Sequence, residues 1–319
     1  MPRTAATLTL TLASAAVLAL AGCGESAQSG KDAGAGGGGG KDELVVAAVP
    51  AEESNSITSQ WGGIAKLLER QAGKKVTIQQ ATDYAAIVEG QRAGKIDLAM
   101  YGPLSYVMAK DGGAPVEPIG ALIDGKGEKP GYTSTAWVPK SSTIKDLKDA
   151  AGKKVCFVDK ASTSGYLYPS AGLLDAGVDP ASGVKPVMAG GHDASLLAVK
   201  SGQCDLGFAY DVMQDELVKK GQLEAGELTK VWTSDMIPGS PLAMNTQTVP
   251  ADLQEKIKKA VVDEGNKDAL VKAGDCTDAK NCPLPEDSWG FAPATDADYA
   301  SVRKVCEVTK SPACSGKKG

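Results

Sequence analysis

The chain has 319 residues, with 34 Lys and Arg set against 39 Asp and Glu for a formal net charge of −5. An acidic balance of this kind excludes a general nucleic-acid binder, and aromatic residues at 5% leave the cores to aliphatic side chains. The length admits two compact lobes of ordinary size.

Residues 1–22 read as a signal peptide. Arg3 supplies the positive start, and Leu8 to Ala21 is an apolar run too short to span a bilayer comfortably. The segment ends in Leu20-Ala21-Gly22-Cys23, which resembles the lipobox of bacterial lipoproteins and implies cleavage before Cys23 and lipidation of its thiol. Residues 23–41, with five consecutive glycines at Gly36–Gly40, have the composition of a flexible tether. The expected location is therefore extracytoplasmic, anchored to the bacterial cell membrane.

From Glu43 onward, short apolar runs alternate with helical periodicity, the pattern of α/β lobes built on parallel strands. Strands are predicted at 44–49, 76–80 and 95–100, with helices at 58–72 and 84–93 and a helix opened by Pro103. Further strands fall at 119–123 and 132–139, the second of them leading out into another lobe. A fresh series follows: a strand at 155–158, a helix over roughly 164–175, a strand at 184–188, a helix after Gly191, a strand at 205–209, helical 211–220 and a run back at 228–234. The turn Ile237-Pro238-Gly239-Ser240-Pro241 marks a second crossing, followed by a strand at 242–245 and an amphipathic helix at 250–265. The remainder, including the cysteine loops and a helix near 296–306, reads as a lysine-bearing surface. Two crossings make one lobe discontinuous, 42–138 with 240–319, and the other, 139–239, inserted within it. A cleft between such lobes is where a small ligand would be enclosed.

Besides Cys23 there are six cysteines, an even number that reads as a disulfide framework in an exported protein. The economical pairing closes Cys276–Cys282 and Cys306–Cys314 as local loops and leaves Cys156–Cys204 to join two neighbouring strands. A zinc site is disfavoured, because no CxxC occurs and the single histidine lies elsewhere. No cofactor-binding motif is present.

The stretch Asp159 to Pro169 contains Ser162-Thr163-Ser164 where a strand passes into a helix. Three hydroxyls and the unpaired N–H groups of a first helical turn suit an anion, held by neutral donors rather than by a salt bridge. The plainer alternative is that Ser162 merely caps a helix. Tyr101 stands just beyond the carboxyl end of a strand, where open α/β sheets present their ligands. His192 follows Gly190-Gly191 and opens a helix. Trp61, early in the first helix, is either a cleft aromatic or a core anchor.

Five segments in order resemble the phosphate/phosphite/phosphonate-binding proteins of ABC importers: Gln60-Trp61, Tyr101-Gly102-Pro103-Leu104-Ser105, Ser162-Thr163-Ser164-Gly165-Tyr166, Gly191-His192-Asp193-Ala194 and Ile237-Pro238-Gly239-Ser240-Pro241. The resemblance covers nearly all of residues 43–305 and implies a two-lobed periplasmic binding-protein fold. It also implies an oxyanion held by Ser162, Thr163, Ser164, Tyr101 and His192 with Trp61 lining the cleft, and permease and ATPase subunits as partners of a monomer. Members that take aminoethyl phosphonates place acids around the far end of the pocket. Here Ser240 stands at one such position, and the other falls near Asp211, where a gap-free alignment puts Val212. The pocket is therefore expected to lack the acids an ammonium needs. Phosphite, phosphate or a small alkylphosphonate moves ahead, with Asp211 or Asp193 as acceptor for the residual P–OH of phosphate. An enzyme built on Ser164 and His192-Asp193 is disfavoured, because adjacent His and Asp side chains diverge and no G-x-S-x-G, HExxH or phosphate-loop motif occurs.

Overall fold

The structure, a computed structural model, describes residues 42–51 and 57–315. The leader, Cys23 and the glycine tether lie outside the described residues. No helix among the described residues is long and apolar enough to cross a membrane.

The first half runs β1 (Glu43–Ala48), α1 (Ile57–Ala72), β2 (Lys75–Gln80), α2 (Tyr84–Arg92), β3 (Leu98–Met100), α3 (Pro103–Asp111) and β4 (Val116–Ile123). A short strand β5 (Gly131–Tyr132) leads into β6 (Ser134–Pro139) and β7 (Lys154–Phe157). A π-helical turn at Thr163–Leu167 continues into α4 (Tyr168–Asp175), followed by β8 (Lys185–Met188), α5 (His192–Lys200), β9 (Leu206–Tyr210), α6 (Met213–Lys219) and β10 (Leu228–Thr233). The chain returns through β11 (Ile237–Pro238) to β12 (Pro241–Asn245), α7 (Ala251–Glu264), α8 (Lys267–Ala273), β13 (Gly290–Ala292) and α9 (Ala300–Thr309).

All of these strands but β5 and β11 form two sheets, in the orders β13-β4-β12-β3-β1-β2 and β10-β6-β9-β7-β8. Alternation along β1 shows how the first is filled. Leu44, Val46 and Ala48 join a core with Trp61, Ile64, Leu67 and Leu68 of α1, whereas Val45 and Ala47 join the opposite core with α2, α3 and α9. Period-two side-chain direction thus puts an apolar layer on each face, and helices cover both. In the second sheet, Val155 and Phe157 face α4 while Cys156 faces Leu196 and Val199 of α5.

The sheets are mixed rather than wholly parallel. β6 is antiparallel to β9, and β12 is antiparallel to both β3 and β4. Each reversed strand is the first long strand after a crossing. A chain leaving one sheet at its carboxyl edge enters the next at that sheet's carboxyl edge, so it must run backwards through it. The crossings themselves lie side by side as a two-stranded ribbon, with Ile237 opposite Tyr132 and Pro238 opposite Gly131.

Two expectations need correction. Because β6 pairs with β9 and β10, residues 134–139 belong to the second sheet, and the crossing falls at 131–133, before the expected boundary at 138/139. The segment after α7 is also not mere surface: Cys282, Leu284 and Phe291 are buried in the first core, α8 packs there through Leu270, and β13 extends the sheet beside β4. The three disulfides pair as expected, Cys156–Cys204, Cys276–Cys282 and Cys306–Cys314. The first links β7 to the turn that enters its parallel neighbour β9, with Cα atoms 5.8 Å apart.

Candidate functional site

The carboxyl edges of the two sheets face each other, and one small enclosed space between them gathers side chains from both. Its lining comprises Val49, Ala51, Tyr84, Gly102, Tyr132, Ser162, Thr163, Ser164, His192, Tyr210, Ser240 and Glu286. None of these residues is a Lys or an Arg, so the donors it offers are neutral.

The hydroxyl run lies at its centre, and all three residues are buried. Ser162 is the helix cap: the Gly165 N–H donates to its Oγ at 3.0 Å. The capping geometry turns the following residues inward, so the plainer reading of Ser162 is part of the site's construction rather than a rival to it. Gly165 is required by proximity, since a Cβ there would lie 2.4 Å from the Val158 side chain and 2.8 Å from Ser162 Oγ. Thr163 Oγ1 accepts a hydrogen bond at 2.8 Å from the Leu104 N–H, which belongs to the first turn of α3 on the other sheet's side. The Ser164 carbonyl accepts from Ser134 Oγ at 2.6 Å, tying the turn to β6, just past the first crossing.

His192 is held in one tautomer. The Tyr210 N–H donates to Nδ1 at 3.2 Å, which leaves the proton of the neutral ring on Nε2, 3.4 Å from Ser162 Oγ. Burial pushes its pKa down to about 3, against an opposing pull from Asp193, so the ring is neutral near pH 7. The His192 N–H donates to the Ala51 carbonyl at 2.9 Å, a second backbone link between the two sides.

Two tyrosines extend the donor set. Burial raises both phenols, against an opposing pull from Ser162 on Tyr84 and from Ser164 and Thr163 on Tyr132. Each phenol is therefore neutral and keeps its proton for donation. Ser240 Oγ donates to Glu286 Oε2 at 3.0 Å. Glu286 brings a carboxylate to a space otherwise lined by donors and small apolar groups.

The predicted residues separate accordingly. Ser162, Thr163, Ser164, His192 and Ser240 converge on the space. Tyr101 does not. Leu98 and Met100 of β3 face one core, so Ala99 and Tyr101 face the other, and the Tyr101 ring packs against Tyr106 at 6.5 Å between centroids. Its hydroxyl has no hydrogen-bond partner among the described residues. Trp61 is buried in the first core and lines an adjoining crevice that shares Val49, Ala51 and Glu286 with the site. Asp211 lies outside the lining; its Oδ2 accepts from Thr133 N at 2.8 Å and Thr133 Oγ1 at 3.0 Å, bracing the first crossing. Asp193 is buried beside His192 and also outside the lining, its Oδ1 accepting from Ala194 N.

Sequence reasoning missed Tyr84, Tyr132, Tyr210 and Glu286, and the expectation of a pocket without acid near Ser240 is overturned. The missing signal for Glu286 was local. Cys282-Pro283-Leu284-Pro285, followed by Trp289, is too rich in rigid and apolar residues for a solvated surface run.

The family model described as ABC transporter, phosphonate, periplasmic substrate-binding protein matches residues 46–299. The chain is 44% identical over 285 residues to the phosphate-import protein PhnD of Mycolicibacterium smegmatis, covering 86% of this chain and 88% of that one. Among solved structures, a binding-protein component of an ABC phosphonate transporter from Pseudomonas aeruginosa superposes with a TM-score of 0.72 at 26% identity, over 84% of this chain and 86% of that chain. PhnD1 from Prochlorococcus marinus in complex with methylphosphonate shares the fold at a TM-score of 0.70 and 21% identity, over 85% and 99% of the two chains.

Proposed function

The chain belongs to the periplasmic phosphonate-binding family of ABC transporters, and on that premise we propose that it captures phosphate or a close phosphorus oxyanion between its two lobes. The observation that carries this reading is the convergence of the Ser162, Thr163 and Ser164 hydroxyls with the Nε2–H of a neutral His192 on one buried space. Hydrogen bonds from neutral donors satisfy a tetrahedral oxyanion without the desolvation cost of burying a countercharge. A relative named for phosphate import, 44% identical, supports phosphate as the first ligand to try.

The site is assembled only when both sides meet. Thr163 accepts from Leu104, and His192 donates to Ala51. The ribbon of β5 and β11 is then the hinge about which lobes comprising 42–130 with 239–315 and 134–233 open to admit the anion. Lipidation at Cys23 would tether a monomer beside its permease and ATPase subunits.

A thermal-shift panel of phosphate, phosphite, methylphosphonate, aminoethylphosphonate, sulfate and acetate on the purified protein tests the reading. A phosphorus oxyanion at a hundred times its dissociation constant is expected to stabilise by about 2.7 kcal/mol. Stabilisation by sulfate or acetate alone would overturn it.

A further inference from the structure

The carboxylate of Glu286 is the feature of the site that simple anion capture does not require. An ionised carboxylate beside an oxyanion is repelled unless a proton lies between them. The chain nevertheless brings Glu286 there on a strained backbone. Its φ and ψ are 55° and 32°, and φ at Asp287 is 50°, two successive side-chain-bearing residues in the left-handed region that such residues rarely enter. Strain of this kind persists where the surrounding structure holds it. Here Pro285 is buried on one side, and the Ser240 hydroxyl holds Glu286 Oε2 at 3.0 Å on the other.

Glu286 lines the same small space as the hydroxyl cluster. Burial raises the phenols of Tyr84 and Tyr132 in that lining, and the charge of Glu286 adds to the effect. The lining therefore presents hydroxyl and imidazole donors to most of its surface and one acceptor-only group to the remainder. Its complement is a tetrahedral oxyanion with unprotonated oxygens and one OH.

We propose that Glu286 determines specificity by accepting the hydrogen bond of a ligand P–OH, so that the site selects hydrogen phosphate and rejects oxyanions that carry no OH. This rests on the phosphorus-oxyanion reading above and narrows it. Hydrogen phosphate keeps one P–OH even as the dianion, whereas sulfate has none near neutrality and methylphosphonate loses its own on becoming a dianion. Ser240 acts as a positioning residue that orients the carboxylate.

Calorimetric titrations of phosphate, sulfate, methylphosphonate and aminoethylphosphonate into the wild type and Glu286→Gln, at about pH 8.5, test the proposal. The wild type is expected to favour phosphate over sulfate by about a hundredfold or more. A glutamine amide can donate to an unprotonated oxygen, so Glu286→Gln should weaken phosphate about tenfold and strengthen sulfate and dianionic methylphosphonate about tenfold. Ser240→Ala, which leaves the carboxylate in place without the Ser240 hydrogen bond, should move the same ratios in the same direction by a smaller factor, and it serves if Glu286→Gln does not fold. Phosphate-to-sulfate ratios unchanged within about threefold in both variants would overturn the assignment while leaving phosphate binding intact. Preference of the wild type for aminoethylphosphonate, lost in Glu286→Gln, would instead make Glu286 the partner of an ammonium and overturn it too. Failure of the wild type to bind any phosphorus compound would refute the underlying reading itself.

Discussion

Replacing Thr163 by valine removes one oxygen atom that faces both lobes. The β-branched shape is kept, so packing changes little, but two hydrogen-bonding roles go. As a donor, the hydroxyl is placed to bond the anion, and loss of a hydrogen bond to a charged group costs about 1.5–3 kcal/mol. As an acceptor, it takes the Leu104 N–H at 2.8 Å in a buried contact. Without it that N–H is satisfied by water when the lobes are apart and by nothing when they close, which costs the closed form a further 1–3 kcal/mol or so. Together these come to about 2.5–6 kcal/mol, a loss of roughly 10²- to 10⁴-fold in affinity. Thr163→Ser keeps both roles and is expected to bind within about tenfold of the wild type. Isothermal titration calorimetry with phosphate reads the difference directly. Binding by Thr163→Val within about threefold of the wild type would refute the reasoning, because neither role of the hydroxyl could then matter.

Folding stability should fall on the acid side through His192. Its folded pKa of about 3 lies below the unfolded value near 6.5, so the unfolded chain binds the extra proton as pH drops from 6.5 towards 3, and stability declines over that window by up to about 1.4 kcal/mol per pH unit. Urea unfolding at pH 7 and pH 4.5 should show this slope in the wild type and a shallower one in His192→Gln; equal slopes would remove His192 as its cause. Converting Cys156 and Cys204 to alanine opens a loop of 48 residues and should lower stability by about 4 kcal/mol on the chain-entropy account, measured by denaturant unfolding under oxidising conditions. Gly165→Ala should cost about 1–3 kcal/mol through its clash with Val158 and Ser162 and should weaken the anion with it. Gly62→Ala, whose Cβ meets nothing within 4 Å in α1, should be neutral or slightly stabilising in the same melts.

The sequence by itself determined whatever depends on near neighbours along the chain. Apolar periodicity located most strands and helices to within a residue or two, because side-chain direction repeats every two or 3.6 residues regardless of what lies across the core. The hydroxyl run was legible because a cap and its helix lie within three residues, as the Ser162–Gly165 bond shows. Local spacing likewise pointed to Cys276–Cys282 and Cys306–Cys314, and the doubly wound strand order to Cys156–Cys204.

Tertiary structure alone decided which of the candidates meet. Tyr101 sits at the right end of the right strand, yet the pleat of β3 turns its ring into the core beside Tyr106. A shift of one residue in a strand reverses the face, and no motif reports that parity. The reversed direction of β6 and β12 follows from the ribbon that joins the lobes, a pairing of residues more than a hundred positions apart. Glu286 reaches Ser240 across 46 residues on a turn whose left-handed backbone no propensity would assign to a glutamate. The chain lacks an acid at position 240 and supplies one to the same place from a different loop. Such a substitution in space leaves no trace at the position where it acts, because a pocket is defined by the distances between side chains and not by their order along the chain.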